Sequence, residues 1–434
     1  MEFHDVLHGH ISFKIGDELT QLLGDLLSSP EINRLRNMRQ MNFDVPLIQE
    51  LGRSRRLPHS IGVVHIAHEL ASRSGMSLSD RKVLLAAAIM HDAAIPPYGH
   101  LVESEFKSLD ISFKHEKRVA DLIKGTVNNN NQYLQLFPRK SLQVLTILNK
   151  FGVDSNQVIE VICPTKGRKS PISADVDIDN IDNVHRMAVM LGWKGAAENL
   201  KKIIDGIDLN GLGAMRFSRE CVPGLKQWLD YRQKIYTMII AHPECIPYNA
   251  LQTDLVRRAI KEQIITPDDW FLSEPEFEEN LRRNPKTGAL ASQLLSGCEY
   301  QMVDYVWVKS FETSTKLNNA QINNYLSENI DIPDECGYFV WNEKGLVCRE
   351  IHVAGDKWSG ESIGFNSTSC MIALVKKTGG RQKWTKTLSS KWRRDAIIGF
   401  TELFKTHQFE VDFPESYTGN FLKNRTDEIQ IGYY

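Results

Sequence analysis

Apolar residues recur with helical spacing along most of the chain between residue 17 and about residue 330. Within 61–71 and 81–91, apolar and histidine positions repeat at i, i+3, i+4 and i+7, which is the period of an amphipathic α-helix. The polar run 128–131, four asparagines, is predicted to be a loop. Further helices are predicted at 116–124, 179–191, 219–241, 249–264 and 287–298. The pattern therefore predicts a mainly α body.

The period changes after about residue 330. Short runs rich in β-branched and aromatic residues are bounded there by Gly, Asn and Asp, which is typical of strands separated by turns. The predicted strands are 338–341, 345–348 and 371–375, and a helix is predicted at about 390–407. We therefore expect a helical core over 1–245, a helical extension over 246–330 and a smaller C-terminal α+β unit over 331–434.

Composition is that of an ordinary globular protein. The 434 residues are 42% hydrophobic and 24% charged, and the net charge of −2 gives no overall attraction to nucleic acid or to membranes. The seven cysteines include no Cys-x-x-Cys pair, which favours reduced thiols. The first residues lack the basic and apolar regions of an export signal, and no apolar stretch approaches the length of a membrane span. We therefore expect a cytoplasmic protein that does not enter membranes.

Histidine and aspartate residues stand at positions that can meet around one metal ion. His91-Asp92 follows the apolar run 86–90, and a helix of this kind would not lead into a charged pair without a partner for the charge. His59 lies on an earlier predicted helix, and a later acidic run supplies Asp175, Asp177, Asp179 and Asp182. Two imidazoles and two carboxylates can hold one divalent cation, but they do not distinguish among Mn, Mg, Fe, Co, Ni and Zn. The alternative is that the histidines are ordinary core or surface residues and the acidic run a solvated face.

The order of these motifs resembles the HD-domain superfamily of metal-dependent phosphohydrolases. Within it, the chain is most similar to the deoxynucleoside triphosphate triphosphohydrolases, the dGTPase-like group. The resemblance runs in order over about residues 1–310, and includes the long predicted helix with Tyr231-Arg232, Tyr236 and His242. The other matching segments are Asp5-Val6-Leu7-His8-Gly9-His10-Ile11, Arg34-Leu35-Arg36, Arg56-Leu57-Pro58-His59-Ser60-Ile61-Gly62, His91-Asp92 with the loop to His100, and Lys114-His115-Glu116.

The resemblance implies an HD-domain helical core and a role for individual residues. One divalent metal ion would polarise a phosphoryl oxygen and lower the pKa of a coordinated water. The implied metal ligands are His59, His91, Asp92 and Asp179, the last selected by its spacing from Leu191-Gly192. The implied catalytic residues are His115, Glu103 and His100, and the implied substrate-binding residues are Arg56, Asp182, Arg186 and Tyr236. Because the family forms oligomers, a homo-oligomer is expected.

Two segments depart from the family's pattern. In the triphosphohydrolases the loop after His-Asp reads Gly-His-x-Pro, whereas this chain has Ala94 and Ile95, and an isoleucine can neither transfer a proton nor donate a hydrogen bond. Downstream of the last metal-ligand aspartate, the family usually has a basic residue, a tyrosine and an aspartate. This chain has Asn180, Asn183 and Met187 there. The metal ligands are thus kept while part of the catalytic and sugar-binding set is changed.

Three functions fit these residues. The first is a metal-dependent phosphohydrolase that acts on a nucleotide, with a deoxynucleoside triphosphate as the favoured substrate. The second is a catalytically impaired nucleotide-binding or regulatory protein, and the third an HD phosphodiesterase or nuclease. For the third, residues 376–394 hold eight Lys or Arg, no acidic residue, and Trp384 and Trp392, a combination that can bind phosphates and stack bases. A solvated face or a subunit contact is the alternative for that segment.

Overall fold

The computed structural model describes most of the chain. The described residues are 1–14, 17–41, 45–108, 114–129, 143–344, 349–355, 358–366, 368–377 and 386–416. A mainly α body occupies the N-terminal two thirds, and a smaller sheet with its own helices follows, so the predicted fold class is confirmed. No helix in these ranges is both long enough and apolar enough to cross a membrane.

Helices make up the body, and several begin at a polar residue whose side chain caps the first turn. Ser77 caps one helix by accepting from the amide of Asp80, and Asp177 caps another by accepting from that of Asn180. The helices are α1 Glu18–Ser28, α2 Pro30–Asn33, α3 Gln49–Arg53, α4 Arg56–Arg73, α5 Leu78–Met90, α6 His100–Ser108, α7 His115–Lys124, α8 Val144–Lys150, α9 Ser155–Ile162, α10 Ile178–Met190, α11 Ala196–Asp205, α12 Val222–Ala241, α13 Cys245–Lys261, α14 Glu274–Arg283, α15 Gly288–Ser296, α16 Asn319–Asn329 and α17 Lys386–Phe404.

Ten strands form three hairpins and one larger sheet within the described ranges. The hairpins pair β1 with β2, β3 with β4 and β7 with β8, all antiparallel. The larger sheet is antiparallel with strand order β10-β5-β9-β6. The strands are β1 Glu2–Asp5, β2 Gly9–Ser12, β3 Ile207–Leu209, β4 Met215–Phe217, β5 Gln301–Lys309, β6 Cys336–Lys344, β7 Ile351–Gly355, β8 Trp358–Ile363, β9 Thr368–Lys376 and β10 Glu410–Asp412.

The larger sheet is buried on both faces, which explains why its strands are continuous apolar runs. On one face, Val306, Tyr338 and Ile372 pack in a cluster with residues of α16 and α17. On the other face, Tyr305 and Phe339 pack with residues of α12 and α13. The C-terminal unit is therefore joined to the helical body through an apolar sheet face rather than through a linker.

The predicted boundaries differ from the structure at strand β5 and in the predicted loop 128–131. Strand β5 lies in the C-terminal sheet although it precedes residue 331, so we propose that this unit begins near residue 301. The apolar run of β5 lacks alternation because both of its faces are buried, so its residue pattern does not separate it from the predicted helical extension. The predicted strand 345–348 lies outside the described residues. In the predicted loop 128–131, a 3₁₀ turn at Thr126–Asn129 is described and the last two residues are not.

Candidate metal centre

Three helices bring the candidate metal ligands together. His59 lies in the first turn of α4, His91 caps the C-terminus of α5, and Asp179 lies in the first turn of α10. Gly62 lets α10 approach α4, because a Cβ atom there would lie 2.3 Å from Oδ2 of Asp182. The contact between these helices therefore depends on the absence of a side chain one turn after His59.

One ligand atom from each of His59, His91 and Asp179 lies within 4.8 Å of the other two. Nε2 of His59 is 2.9 Å from Oδ1 of Asp179, and Nε2 of His91 is 3.5 Å from the same oxygen. Both histidines are buried. Nδ1 of His91 donates to the carbonyl of Ala88 at 2.8 Å, whereas Nε2 is buried without a hydrogen-bond partner among the described residues. A buried imidazole nitrogen beside a carboxylate fits a divalent cation that replaces its proton, so these residues form a group that can hold one.

The carboxylates around the group favour protonated histidines when no cation is bound. Burial lowers the pKa of His91, but Asp92 and Asp179 outweigh it and raise the pKa to about 10. Burial likewise lowers the pKa of His59, and hydrogen bonds to Asp179 and Asp182 outweigh it and raise the pKa. A cation that binds these nitrogens must therefore displace protons.

Asp92 lies beside the group rather than within it. Its Oδ2 is 3.6 Å from Nε2 of His91, but the same oxygen accepts a 2.6 Å hydrogen bond from Nη1 of Arg56. Burial raises the pKa of Asp92, and Arg56 and His91 outweigh it and lower the pKa below its usual range. The fourth-ligand role of Asp92 therefore stays a prediction. Arg56, expected to contact phosphate, is buried and engaged with Asp92.

Asp182 and Arg186 lie behind His59 instead of facing an open site. Oδ1 of Asp182 is 2.7 Å from Nδ1 of His59, and Oδ2 is 2.6 Å from Nε2 of His8. Arg186 donates to Asp182 at 2.9 Å and to Asp5 at 2.7 Å. Asp182 is 0% exposed and Arg186 is 1% exposed. The expectation that these two side chains bind substrate is therefore corrected, because they have no surface to offer a ligand; we assign them to positioning His59.

We expect Asp182→Asn to weaken metal binding by about 10- to 100-fold, the range for residues that orient a metal-ligating histidine. The asparagine keeps the size of the side chain but removes the charge that stabilises the Nδ1–H of His59. Isothermal titration with Mn²⁺ measures the loss, and the KM at saturating metal should stay unchanged. The control is Asp205→Asn, an exposed carboxylate paired with Lys201 on α11. An unchanged metal affinity in Asp182→Asn would contradict the positioning role.

A second group of titratable side chains joins α6 and α7. Oε2 of Glu103 is 2.8 Å from Nδ1 of His115 and 3.5 Å from Nδ1 of His100, and Lys107 donates to the other oxygen. Burial lowers the pKa of His115, and the hydrogen bond to Glu103 outweighs it and raises the pKa. The spacing of His100, Glu103 and His115 would also admit a cation. The ammonium of Lys107 on the same carboxylate opposes a second cation, so we assign this group to proton transfer.

Comparison with known proteins identifies the central segment. Residues 56–187, which contain His59, His91, Asp92 and Asp179, match the family described as HD domain. This segment of the chain is therefore similar to an HD domain. HD domains bind divalent metals and are generally metal-dependent phosphohydrolases.

Relatives at 21–25% identity are themselves proteins without an assigned activity. The uncharacterized protein MG461 of Mycoplasma genitalium is 25% identical over 72% of this chain and 73% of its own length. The uncharacterized protein YwfO of Bacillus subtilis is 24% identical over 59% of this chain, and the uncharacterized protein MJ1154 of Methanocaldococcus jannaschii is 21% identical over 55%. The chain spans about half the length of these last two, at 55% and 46%.

The loop that leaves the HD doublet turns position 95 away from solvent. Ile95 is 0% exposed and packs in a small apolar cluster with Leu35 and Met38. The buried guanidinium of Arg34 donates to the carbonyl of Ile95 and to that of Trp270. The loop is thereby tied to two other parts of the body. In this conformation the side chain at position 95 contributes to the core of the HD domain.

We expect Ile95→His to destabilise the HD domain by about 3 kcal/mol, because an imidazole would lie in an apolar cluster without a partner. Guanidinium unfolding measures the difference. Ile95→Val is the matched control and should cost about 1 kcal/mol. No gain of hydrolysis is expected from Ile95→His. A stable variant with new hydrolytic activity would show instead that the loop can present this position to substrate.

Sequence reasoning assigned no role to two arginines that lie beside the acidic run. Arg232 on α12 is 5% exposed, and its Nε and Nη1 are buried without a hydrogen-bond partner among the described residues. Its guanidinium lies over the ring of Tyr236, 4.8 Å from the centroid. Burial and the charge of Arg232 lower the pKa of Arg349, which immediately precedes β7, whereas Asp177 and Asp175 oppose this change. Two neighbouring guanidinium groups favour an anion. Tyr236, expected to bind substrate, therefore lies in this arginine group.

Nucleic-acid binding by segment 376–394 stays a prediction, but some residues of its described part, 376–377 and 386–394, make structural contacts. Trp392 is 3% exposed and stacks with Tyr338 inside the C-terminal core. Lys377 pairs with Asp254 at 2.6 Å, and Arg393 pairs with Asp304 at 2.8 Å. Trp384 and its neighbours lie outside the described residues. Trp392 is therefore corrected from a base-stacking residue to a core residue.

Proposed function

We propose that this protein is a metal-dependent phosphohydrolase that acts on a nucleotide, and that a deoxynucleoside triphosphate is the first substrate to test. The observation that carries the proposal is the buried group of His59, His91 and Asp179, in which Nε2 of His91 is 3.5 Å from Oδ1 of Asp179 and makes no hydrogen bond among the described residues. Most buried polar nitrogens have a hydrogen-bond partner, and a divalent cation would satisfy this one. The expected metal ligands also include Asp92.

The residues around the metal group supply the remaining chemistry. The bound ion would polarise a phosphoryl oxygen and lower the pKa of a water molecule. Arg56 holds the carboxylate of Asp92 ionised and oriented through its 2.6 Å hydrogen bond. His115, kept protonated by Glu103, can give a proton to a leaving oxygen. His100, on the exposed side of Glu103, can exchange that proton with solvent.

The substrate is proposed to be anionic because of Arg232 and Arg349. A nucleotide phosphate would satisfy the buried nitrogens of Arg232 and offset the repulsion between the two guanidinium groups. Asp177, whose charge acts on Arg349, caps the helix whose first turn carries Asp179.

We expect Arg349→Ala to raise the KM for a nucleotide by about 10- to 100-fold with little change in kcat, because a charge-assisted contact would be lost equally in the ground and transition states. Steady-state kinetics at saturating Mn²⁺ measures this. The control is Lys226→Ala, which removes a different ion pair between α12 and the β7–β8 hairpin, to Glu361 at 3.0 Å. An equal rise in KM in both variants would mean that the position of the hairpin, and not the charge of Arg349, accounts for the effect.

The deciding experiment incubates the purified chain and Mn²⁺ or Mg²⁺ with deoxynucleoside triphosphates, ribonucleoside triphosphates, monophosphates and short oligonucleotides. Release of tripolyphosphate supports the triphosphohydrolase, and release of inorganic phosphate from monophosphates supports a nucleotidase. Cleavage of oligonucleotides would favour the phosphodiesterase alternative.

The second candidate is a nucleotide-binding regulatory protein without turnover. The observation that favours it is Ile95, whose buried side chain replaces the loop histidine of the triphosphohydrolases. Against it, the pair of Glu103 and His115 retains a group able to transfer protons. Nucleotide binding with no product from any substrate in the panel would support the regulatory role and contradict the hydrolase.

A further inference from the structure

A pocket lies where the HD domain meets the C-terminal unit, outside the metal group. The empty space within it, counted out to its opening to solvent, is about 570 Å³, and small-molecule sites are common at domain junctions. Helix α6 contributes His100 and Ser104, α13 contributes Asn249, and β6 contributes Phe339 and Trp341. The pocket therefore draws its walls from both parts of the chain.

A buried acceptor at the pocket wall favours a ligand with an N–H donor. Asn249 is 3% exposed and donates through Nδ2 to the carbonyl of Ile239, but its Oδ1 is buried without a hydrogen-bond partner among the described residues. Leaving such an acceptor unsatisfied costs about 1–3 kcal/mol. Gln252 and Thr253 stand on the same helix at the pocket wall, and Asn319 on the opposite side. Amide side chains of this kind recognise the edges of heterocycles.

The remaining lining favours a flat and uncharged molecule. The rings of Phe339 and Trp341 pack edge to face with their centroids 6.3 Å apart, and both residues line the pocket. No lysine or arginine lines the pocket among the described residues, and Glu105 is already neutralised by Arg257 at 2.9 Å. A phosphate would find no cation here, in contrast to the arginine group beside the metal ligands.

We propose that this junction pocket binds a neutral planar heterocycle with an N–H donor, of the size of a nucleobase or nucleoside. The ligand would contact His100, whose side chain is 71% exposed in the structure and 3.5 Å from Glu103. Binding would therefore restrain a member of the proton-transfer group and tie the C-terminal unit to it. This coupling rests on the proposed function, whereas the binding does not.

The test titrates adenosine, guanosine, cytidine and uridine into metal-free protein and follows binding by calorimetry and ligand-observed NMR. We expect one or more of them to bind one per chain. Ser104→Phe should weaken this binding by about tenfold or more, because an exposed serine at the wall becomes a ring that fills the pocket. Ser104→Ala is the matched control and should bind as the wild type does. Asn249→Leu should also weaken binding, and thermal unfolding checks that it is folded.

Two results would contradict the proposal that this pocket binds a nucleoside. The first is that no nucleoside binds, or that Ser104→Phe binds as tightly as Ser104→Ala. The second is that Asp179→Asn abolishes nucleoside binding, which would place the ligand at the metal group. Retained nucleoside binding in Asp179→Asn supports a separate site even if no phosphate substrate is ever hydrolysed, so this test fails or succeeds independently of the proposed function.

Discussion

Replacing Asp179 by asparagine should abolish both metal binding and hydrolysis. Oδ1 of Asp179 is the atom that both His59 and His91 approach, at 2.9 and 3.5 Å, so it is the common member of the ligand group. An amide has the size of the carboxylate but no charge to offset a divalent cation. We expect Mn²⁺ affinity to fall by more than about 100-fold, beyond the range for residues outside the ligand set.

Metal content after dialysis, titration calorimetry and the hydrolysis assay together measure this result. Asp175→Asn is the matched control, since it removes a carboxylate from the same acidic run that pairs with Lys169 at 2.6 Å and is largely accessible. That variant should bind metal and turn over normally. Retained metal and activity in Asp179→Asn would refute the assignment of the site.

The second large effect is expected at His115. His115→Ala should lower kcat by about 10²- to 10⁴-fold, the usual contribution of a positioned proton donor, with metal affinity unchanged. Because Glu103 raises the pKa of His115, the protonated form persists above the usual histidine range, and activity should decline as the pH rises through that raised value. Glu103→Gln removes the charge, so the basic limb of the profile should shift to lower pH.

The pH profiles of kcat for the wild type and Glu103→Gln distinguish proton transfer from a purely structural role. Glu116→Gln serves as the graded comparison, because its Oε2 is 3.6 Å from Nδ1 of His115 and half exposed. It should shift the same limb in the same direction but by less. Identical profiles in all three proteins would exclude His115 as the titrating acid.

Local patterns were enough to predict the helices that carry the metal ligands. The helical period and the apolar run before His91 are properties of neighbouring residues, and α4, α5 and α10 lie close to their predicted ranges. The C-terminal strands are harder to predict from local sequence patterns. Strand β5 was missed because a strand buried on both faces has no alternation to distinguish it from a buried helix segment.

Side-chain roles could be predicted only as far as chain order determines them. Asp182 and Arg186 matched the family's pattern, yet both point into the body, and spacing along a helix does not show which neighbour that face will meet. Arg349 could not be associated with Arg232, because a separate hairpin brings it there. The burial of Ile95 depends on Leu35 and Met38, which come from a turn far earlier in the chain.

The sequence alone predicts a mainly α protein that is followed by an α+β unit. It also predicts which histidines and aspartates stand at helix ends, where they could hold a metal ion. These are consequences of short-range periodicity and of the high cost of burying isolated charge. Tertiary packing alone places Asp182 against His59, brings Arg232 near Arg349, and opens a pocket between His100 and β6. Those contacts join residues more than a hundred positions apart, and such proximity arises from the packing of helices and sheet faces.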